Sequence, residues 1–189
     1  MAVHLKLTPA DYLAFERAQT DVKHEYLGGE ITAMAGVTRE HNLIVGNTFA
    51  SLHARLRGRG CETYSNDMRV KVPATGLYAY PDISALCGDP QFEDEVLDTL
   101  LNPSVIIEVL SESTEAYDRG TKFAHYRRIE SLQAYVLIAQ HTPRLELFVR
   151  QESGWLLTEA NGLEAHIRLE ALDCELALAD VYERVLSGT

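Results

Sequence analysis

A chain of 189 residues, 46% hydrophobic and 24% charged, has the balance of a soluble protein and enough length for a real core without disulfides. Seventeen basic residues against 28 acidic ones give a net charge of −11, which opposes nonspecific binding to nucleic acid. No apolar segment approaches the roughly 20 residues that span a bilayer, and Met1–Leu13 lacks the basic start and apolar core of a leader, so one cytoplasmic domain over residues 1–189 is expected.

Thr8-Pro9 offers a capping hydroxyl and a first-turn proline, which predicts a helix over Pro9–Arg17. Lys23–Leu27 and Glu30–Ala35 flank Gly28-Gly29, a strong two-residue hairpin turn. Thr38–Arg57 is the clearest long helix, with Leu43, Ile44, Val45, Thr48, Phe49, Leu52 and Leu56 as its apolar stripe. His53, Arg55, Arg57 and Arg59 sit at the end a helix dipole favours for cations, and Gly58 and Gly60 stop it.

Cys61–Tyr64 and Met68–Val72 read as strands, with Arg69 and Lys71 on an exposed face. Tyr78–Cys87 follows the turn at Pro73 and Gly76. Glu93, Asp94, Glu95 and Asp98 read as a solvated acidic loop. Cys61, Cys87 and Cys174 are widely spaced and odd in number, the usage of small buried hydrophobes. After the Val105–Leu110 strand, a basic helix over Glu115–Arg128 leads to a strand at Ala134–Ala139. That order is a crossover unit. Arg144–Arg150 and Trp155–Thr158 form a hairpin, Ala165–Leu169 a further strand, and a short helix from Leu178 closes the chain. The sum is a mixed α/β sheet protected by helices.

Two of these strands each contain one carboxylate within an apolar run: Asp82 in Pro81–Cys87 and Glu108 in Val105–Leu110. A lone buried carboxylate is costly, so each should lie at an open strand end or be paired. Side by side, the two strands bring Asp82 and Glu108 together. Oxygen ligands of that kind suit Mg²⁺ or Mn²⁺, and a nearby lysine can assist an attacking water or the transition state.

The chain resembles the Uma2 family of restriction-endonuclease-like proteins, within the PD-(D/E)xK nuclease superfamily. The likeness runs from Thr8-Pro9-Ala10-Asp11-Tyr12-Leu13 to Leu178-Ala179-Asp180-Val181-Tyr182. Its specific pieces are Lys23-His24-Glu25-Tyr26-Leu27-Gly28-Gly29-Glu30, Glu40-His41-Asn42, Tyr80-Pro81-Asp82, Glu108-Val109-Leu110-Ser111 and Tyr117-Asp118-Arg119-Gly120-Thr121-Lys122. The resemblance implies a restriction-endonuclease-like core, DNA as substrate, and a homodimer. It makes Asp82 and Glu108 the metal ligands, with the Val109 carbonyl as a further donor. The superfamily's usual lysine position holds Leu110, and the resemblance transfers its work to Lys122. Glu25 and Glu30 are alternative early acids, and His41 and Asp67 are further candidates for the cleft. Tyr64, Tyr78, Tyr80, Tyr117 and Tyr126 either line it or edge the core. A noncatalytic DNA-associated or protein-interaction module on the same fold is the alternative function.

Overall fold

A computed structural model describes residues 6–186, so the first five residues of Met1–Leu13 lie outside the described range. Helix α1 spans Pro9–Arg17, the predicted bounds. Thr8 and Asp11 close a reciprocal capping box that satisfies the first free N–H groups. Strands β1 (His24–Leu27) and β2 (Glu30–Ala33) pair antiparallel across Gly28-Gly29. Both glycines have positive φ, 62° and 97°, as a two-residue hairpin of this hand requires. Helix α2 (Arg39–Leu56) starts on a Thr38 cap that accepts the His41 N–H at 3.2 Å.

Strands β3 (Cys61–Ser65), β4 (Arg69–Val72), β5 (Leu77–Ala79), β6 (Ile83–Cys87), β7 (Thr99–Leu100) and β8 (Val105–Val109) follow. The run Tyr78–Cys87, read as one strand, is two. β5 joins a five-stranded sheet of order β2-β1-β5-β4-β7, while β6 joins a different sheet, and residues 80–82 carry the chain between them. Pro81 at the break cannot donate to a ladder, which accounts for the interruption.

Helix α3, residues 115–126, has α geometry at Glu115–Tyr117 and Phe123–Tyr126 and a π turn at Asp118–Lys122 between them. Strands β9 (Ala134–Ile138), β10 (Arg144–Gln151) and β11 (Gly154–Asn161) complete a six-stranded sheet of order β11-β10-β9-β8-β6-β3. β8 and β9 are parallel and joined through α3, the expected crossover. The hairpin of β12 (His166–Leu169) and β13 (Cys174–Ala177) leads to α4 (Leu178–Val181). β13 was not expected from the sequence; its pairing with β12 places it.

The central strands of the six-stranded sheet, β6, β8 and β9, are buried on both faces. Ile83, Ala85, Val105, Ile107, Val109, Val136 and Ile138 pack with Ile44, Leu52 and Leu56 of α2 and Val181 of α4. The opposite face puts Leu86, Ile106, Tyr135 and Leu137 against Tyr126 of α3 and against Val70, Val72, Leu77 and Leu100 of the five-stranded sheet. Side chains alternate along a strand, so Glu108 shares the α3 face with Ile106 and Leu110. No helix among the described residues is long and apolar enough to cross a membrane.

Two expectations are corrected here. Cys61 and Cys87 are not separate thiols. The β3–β6 register sets them directly opposite, and they form a disulfide, leaving Cys174 free and buried. The acidic segment is not merely solvated. Asp94 and Asp98 hold Arg17 at 2.8 Å, Asp98 also holds the buried Arg69 at 2.8 Å, and Glu93 pairs with Lys71. Arg69 and Lys71 are therefore ion-pair partners of the acidic segment rather than residues of an exposed face.

Candidate active site

The β6–β8 register pairs Ile83 with Ile107 and thereby sets Asp82, one residue before β6, opposite Glu108. Their connection is direct: the Asp82 N–H approaches Glu108 Oε2 at 3.3 Å, and the Val109 N–H donates to Asp82 Oδ2 at 2.8 Å. Asp82 ends the passage between sheets, so its carboxylate stands where the β6–β8 ladder opens. That is the strand-end position a carboxylate in an apolar run requires.

Lys122 reaches the same place from α3. Its Nζ lies 2.9 Å from Glu108 Oε1, 3.1 Å from Glu25 Oε1 and 3.6 Å from Asp118 Oδ1. An α-helix carries a residue at i+4 onto the face of residue i, and the π turn widens that step between Asp118 and Lys122. The Tyr135 hydroxyl, from β9, donates to the Asp118 carbonyl at 3.0 Å and ties the turn to the sheet. Tyr126, one turn beyond Lys122, donates to Glu108 Oε1 at 3.1 Å.

Burial and charge act together on this cluster. Glu108, Asp118 and Lys122 are each no more than 5% exposed. Burial pushes the Glu108 carboxyl well above the usual range. Lys122 pulls it back, while Asp118 and Asp82 push it further up. Burial likewise raises Asp118 against the pull of Lys122. For Lys122 burial favours loss of the proton, but Glu108, Tyr126, Glu25 and Asp118 outweigh it and hold the ammonium charged. The Tyr117 hydroxyl, 3.3 Å from Glu25 Oε2, is pushed up to about 12 by burial and by that carboxylate.

Of the further candidates, Glu25 belongs to the cluster and Glu30 does not, being exposed at the hairpin turn. His41 belongs as well. Its Nε2 lies 3.2 Å from Asp82 Oδ2, and its buried Nδ1 has no hydrogen-bond partner among the described residues. Asp67 is an exposed partner of Lys23 and lies outside the site. Tyr80 and Tyr117 line the cavity, Tyr126 binds Glu108, Tyr78 is a core residue, and Tyr64 pairs with Glu62. Asp118 was missed as a site residue. Its signal was the four-residue spacing to Lys122.

These groups line a cavity of about 730 Å³, walled by Glu25, the segment 32–41, Tyr80, residues 111–114 and α3. Among the described residues no three His, Cys, Asp or Glu side chains converge as they stand to hold a metal ion, because the Lys122 ammonium lies among the acids. Asp82 and Glu108 nevertheless supply hard oxygen donors. Mg²⁺ typically takes only one or two protein carboxylates, with waters and phosphate completing its shell. Both contacts to Asp82 use Oδ2, which leaves Oδ1 for a ligand.

The Uma2 family, described as "Putative restriction endonuclease", matches residues 9–180. Two Synechocystis sp. proteins are similar across most of the chain. Uncharacterized protein sll1609 is 38% identical over 162 residues, covering 85% of this chain and 91% of its own. Uncharacterized protein slr1290 is 35% identical over 184 residues, covering 96% and 94%. The fold is shared with a crystal structure from Anabaena variabilis ATCC 29413, described as "a putative nuclease belonging to DUF820". Its TM-score is 0.78 at 16% identity, over 95% of this chain and 99% of that one.

Proposed function

This chain belongs to the Uma2 family, and we propose that it is a metal-dependent DNA endonuclease hydrolysing phosphodiester bonds. The observation that carries the reading is the meeting of three residues from separate elements: Asp82 opposite Glu108, and the Lys122 amine 2.9 Å from Glu108. The family's description and that of the Anabaena protein support nucleic acid as the substrate class. The passage of Leu77–Cys87 from one sheet into the other supports treating residues 1–189 as a single domain.

Asp82 and Glu108 would hold Mg²⁺ or Mn²⁺, with the Val109 carbonyl as a further donor. Such an ion, when bound, polarises a phosphoryl oxygen and acidifies a bound water. His41 and the Val109 N–H fix the Asp82 carboxylate. Lys122, held as an ammonium, acts by donating to the phosphate oxygens on which charge develops rather than as a base. Glu25 and Asp118 keep that amine charged and aimed.

The test is cleavage of varied DNA forms with Mg²⁺ or Mn²⁺, with an Asp82→Asn control. A folded, metal-binding sample that cuts none of them would defeat the proposal. One observation favours the second reading, a noncatalytic DNA-associated or protein-interaction module. Glu108 already spends one oxygen on Lys122 and Tyr126, so the cluster satisfies itself without a ligand. Such a module would bind without cutting, and the same assay separates the two.

A further inference from the structure

We infer that the site takes DNA as a single strand, admitting one scissile phosphodiester with its flanking nucleotide, and does not cut a continuous duplex. This rests on the hydrolase reading above and concerns which form of DNA that site accepts.

Access comes first. The side chains of Asp82, Glu108 and Lys122 are only 12%, 4% and 6% exposed. A phosphate must therefore enter the cavity to meet them. At about 730 Å³ the cavity falls in the range of roughly 300–1,000 Å³ that encloses a drug-sized molecule, the size of one or two nucleotides. In an intact duplex the backbone is held to a stacked helix far wider than a cavity of this size, whereas a single strand can feed one phosphate and its nucleotide inward, as base-modifying enzymes draw a single nucleotide into a pocket. The walls suit that occupant. Tyr117 is half-buried and offers aromatic surface for a base, and Met34 and Val37 add apolar surface to the lining.

Charge points the same way. Six carboxylates line the cavity, from Glu25, Glu40, Asp82, Glu108, Glu112 and Asp118, and Lys122 is the sole lysine or arginine among the lining residues. Elsewhere, 10 of the remaining 16 lysines and arginines are engaged in ion pairs among the described residues. Of the others (Lys6, Arg57, Arg127, Arg128, Arg150 and Arg184) none lines the cavity. Duplex binders commonly neutralise about six to ten phosphates, and log affinity falls with log salt by about 0.9 per phosphate. For a single strand the fall is about 0.7 per phosphate, so one cation at the site sets the expected slope near −0.7.

The experiment uses the full chain with Mn²⁺ and three probes: a linear single-stranded oligonucleotide, a circular single strand and a closed duplex plasmid. Single-stranded DNA is expected to be cut at least ten times faster than plasmid, with a binding slope of about −0.7 against log salt. Cleavage of the linear form alone supports entry by a strand end; cleavage of both single-stranded forms supports entry by an unstacked internal nucleotide. Plasmid cut as fast as either single strand, or a slope of about −5 or steeper, overturns the inference while leaving the hydrolase reading intact. A sample that binds Mn²⁺ and cuts no probe overturns both.

Discussion

Lys122 Nζ lies 2.9 Å from Glu108 Oε1, although one residue is on a central strand and the other on the helix that follows it. The crossover between β8 and β9 folds α3 back over the sheet, and the face shared by Glu108, Ile106 and Leu110 receives it. This amine is the buried counter-charge for acids that are themselves almost wholly buried.

Removing it should therefore cost stability as well as activity. Lys122→Met leaves Glu108 and Asp118 without their cation. Breaking a buried pair in this way typically costs about 3–5 kcal/mol. Urea unfolding at neutral pH should show that loss. The deficit should shrink at mildly acidic pH, where the carboxyls take up protons. Full metal-dependent cleavage by this variant would remove Lys122 from the chemistry.

Metal affinity tests the two acids separately from turnover. Asp82→Asn and Glu108→Gln should each weaken Mn²⁺ binding at least tenfold by calorimetry, with circular dichroism unchanged. Their carboxylates meet polar groups that an amide can also contact: the Val109 N–H and His41 for Asp82, and the Asp82 N–H, Lys122 and Tyr126 for Glu108. Wild-type affinity in both variants would place the ion elsewhere.

The pH dependence has a definite sign. Glu108 and Asp118 hold their protons more tightly in the folded chain than in the unfolded one. Their stabilising contribution is complete below the unfolded pKa values and is lost as pH rises through the folded values. Metal-free Tm should therefore fall over that window, and Glu108→Gln should flatten the fall. Mn²⁺ affinity should run the other way, rising with pH as the carboxylates form. The Lys122 contribution persists through neutrality and is lost only at strongly alkaline pH. A metal-free Tm that climbs across the window would contradict the assignment.

The Cys61–Cys87 bond closes a loop with a sequence separation of 26, for which chain entropy gives about 3.5 kcal/mol of stabilisation. Thiol titration of the unfolded, unreduced protein should find one free cysteine, and Cys61→Ser should lower Tm. Three titratable thiols would refute the pairing.

Much of the fold was legible because its signals are local. The Thr8 cap, the Gly28-Gly29 turn and the stripe of α2 each need only a few neighbouring residues, and their elements lie where expected. What escaped prediction depends on partners distant in sequence. Arg17 meets Asp94 and Asp98 from another element, and Cys61 meets Cys87 only through strand register. The break at Tyr80-Pro81-Asp82 carries a local mark in Pro81, but with apolar residues on both sides only the strand pairing shows that the halves belong to different sheets. At the site, Asp82, Glu108 and Lys122 were named from the sequence and lie together. Choosing Glu25 over Glu30 needed the hairpin's orientation, and Asp118 needed the helix geometry.

The wide turn in α3 has a consequence for how the chain tolerates length changes. A helix advances about 100° per residue, so the angular phase of every later side chain depends on how many residues occupy that turn. Deleting Gly120 would let residues 115–126 relax to uniform winding and swing Lys122 and Tyr126 away from Glu108 together. The amine meets its acids by phase as well as by charge, and a one-residue deletion would break that meeting with every participating side chain still present.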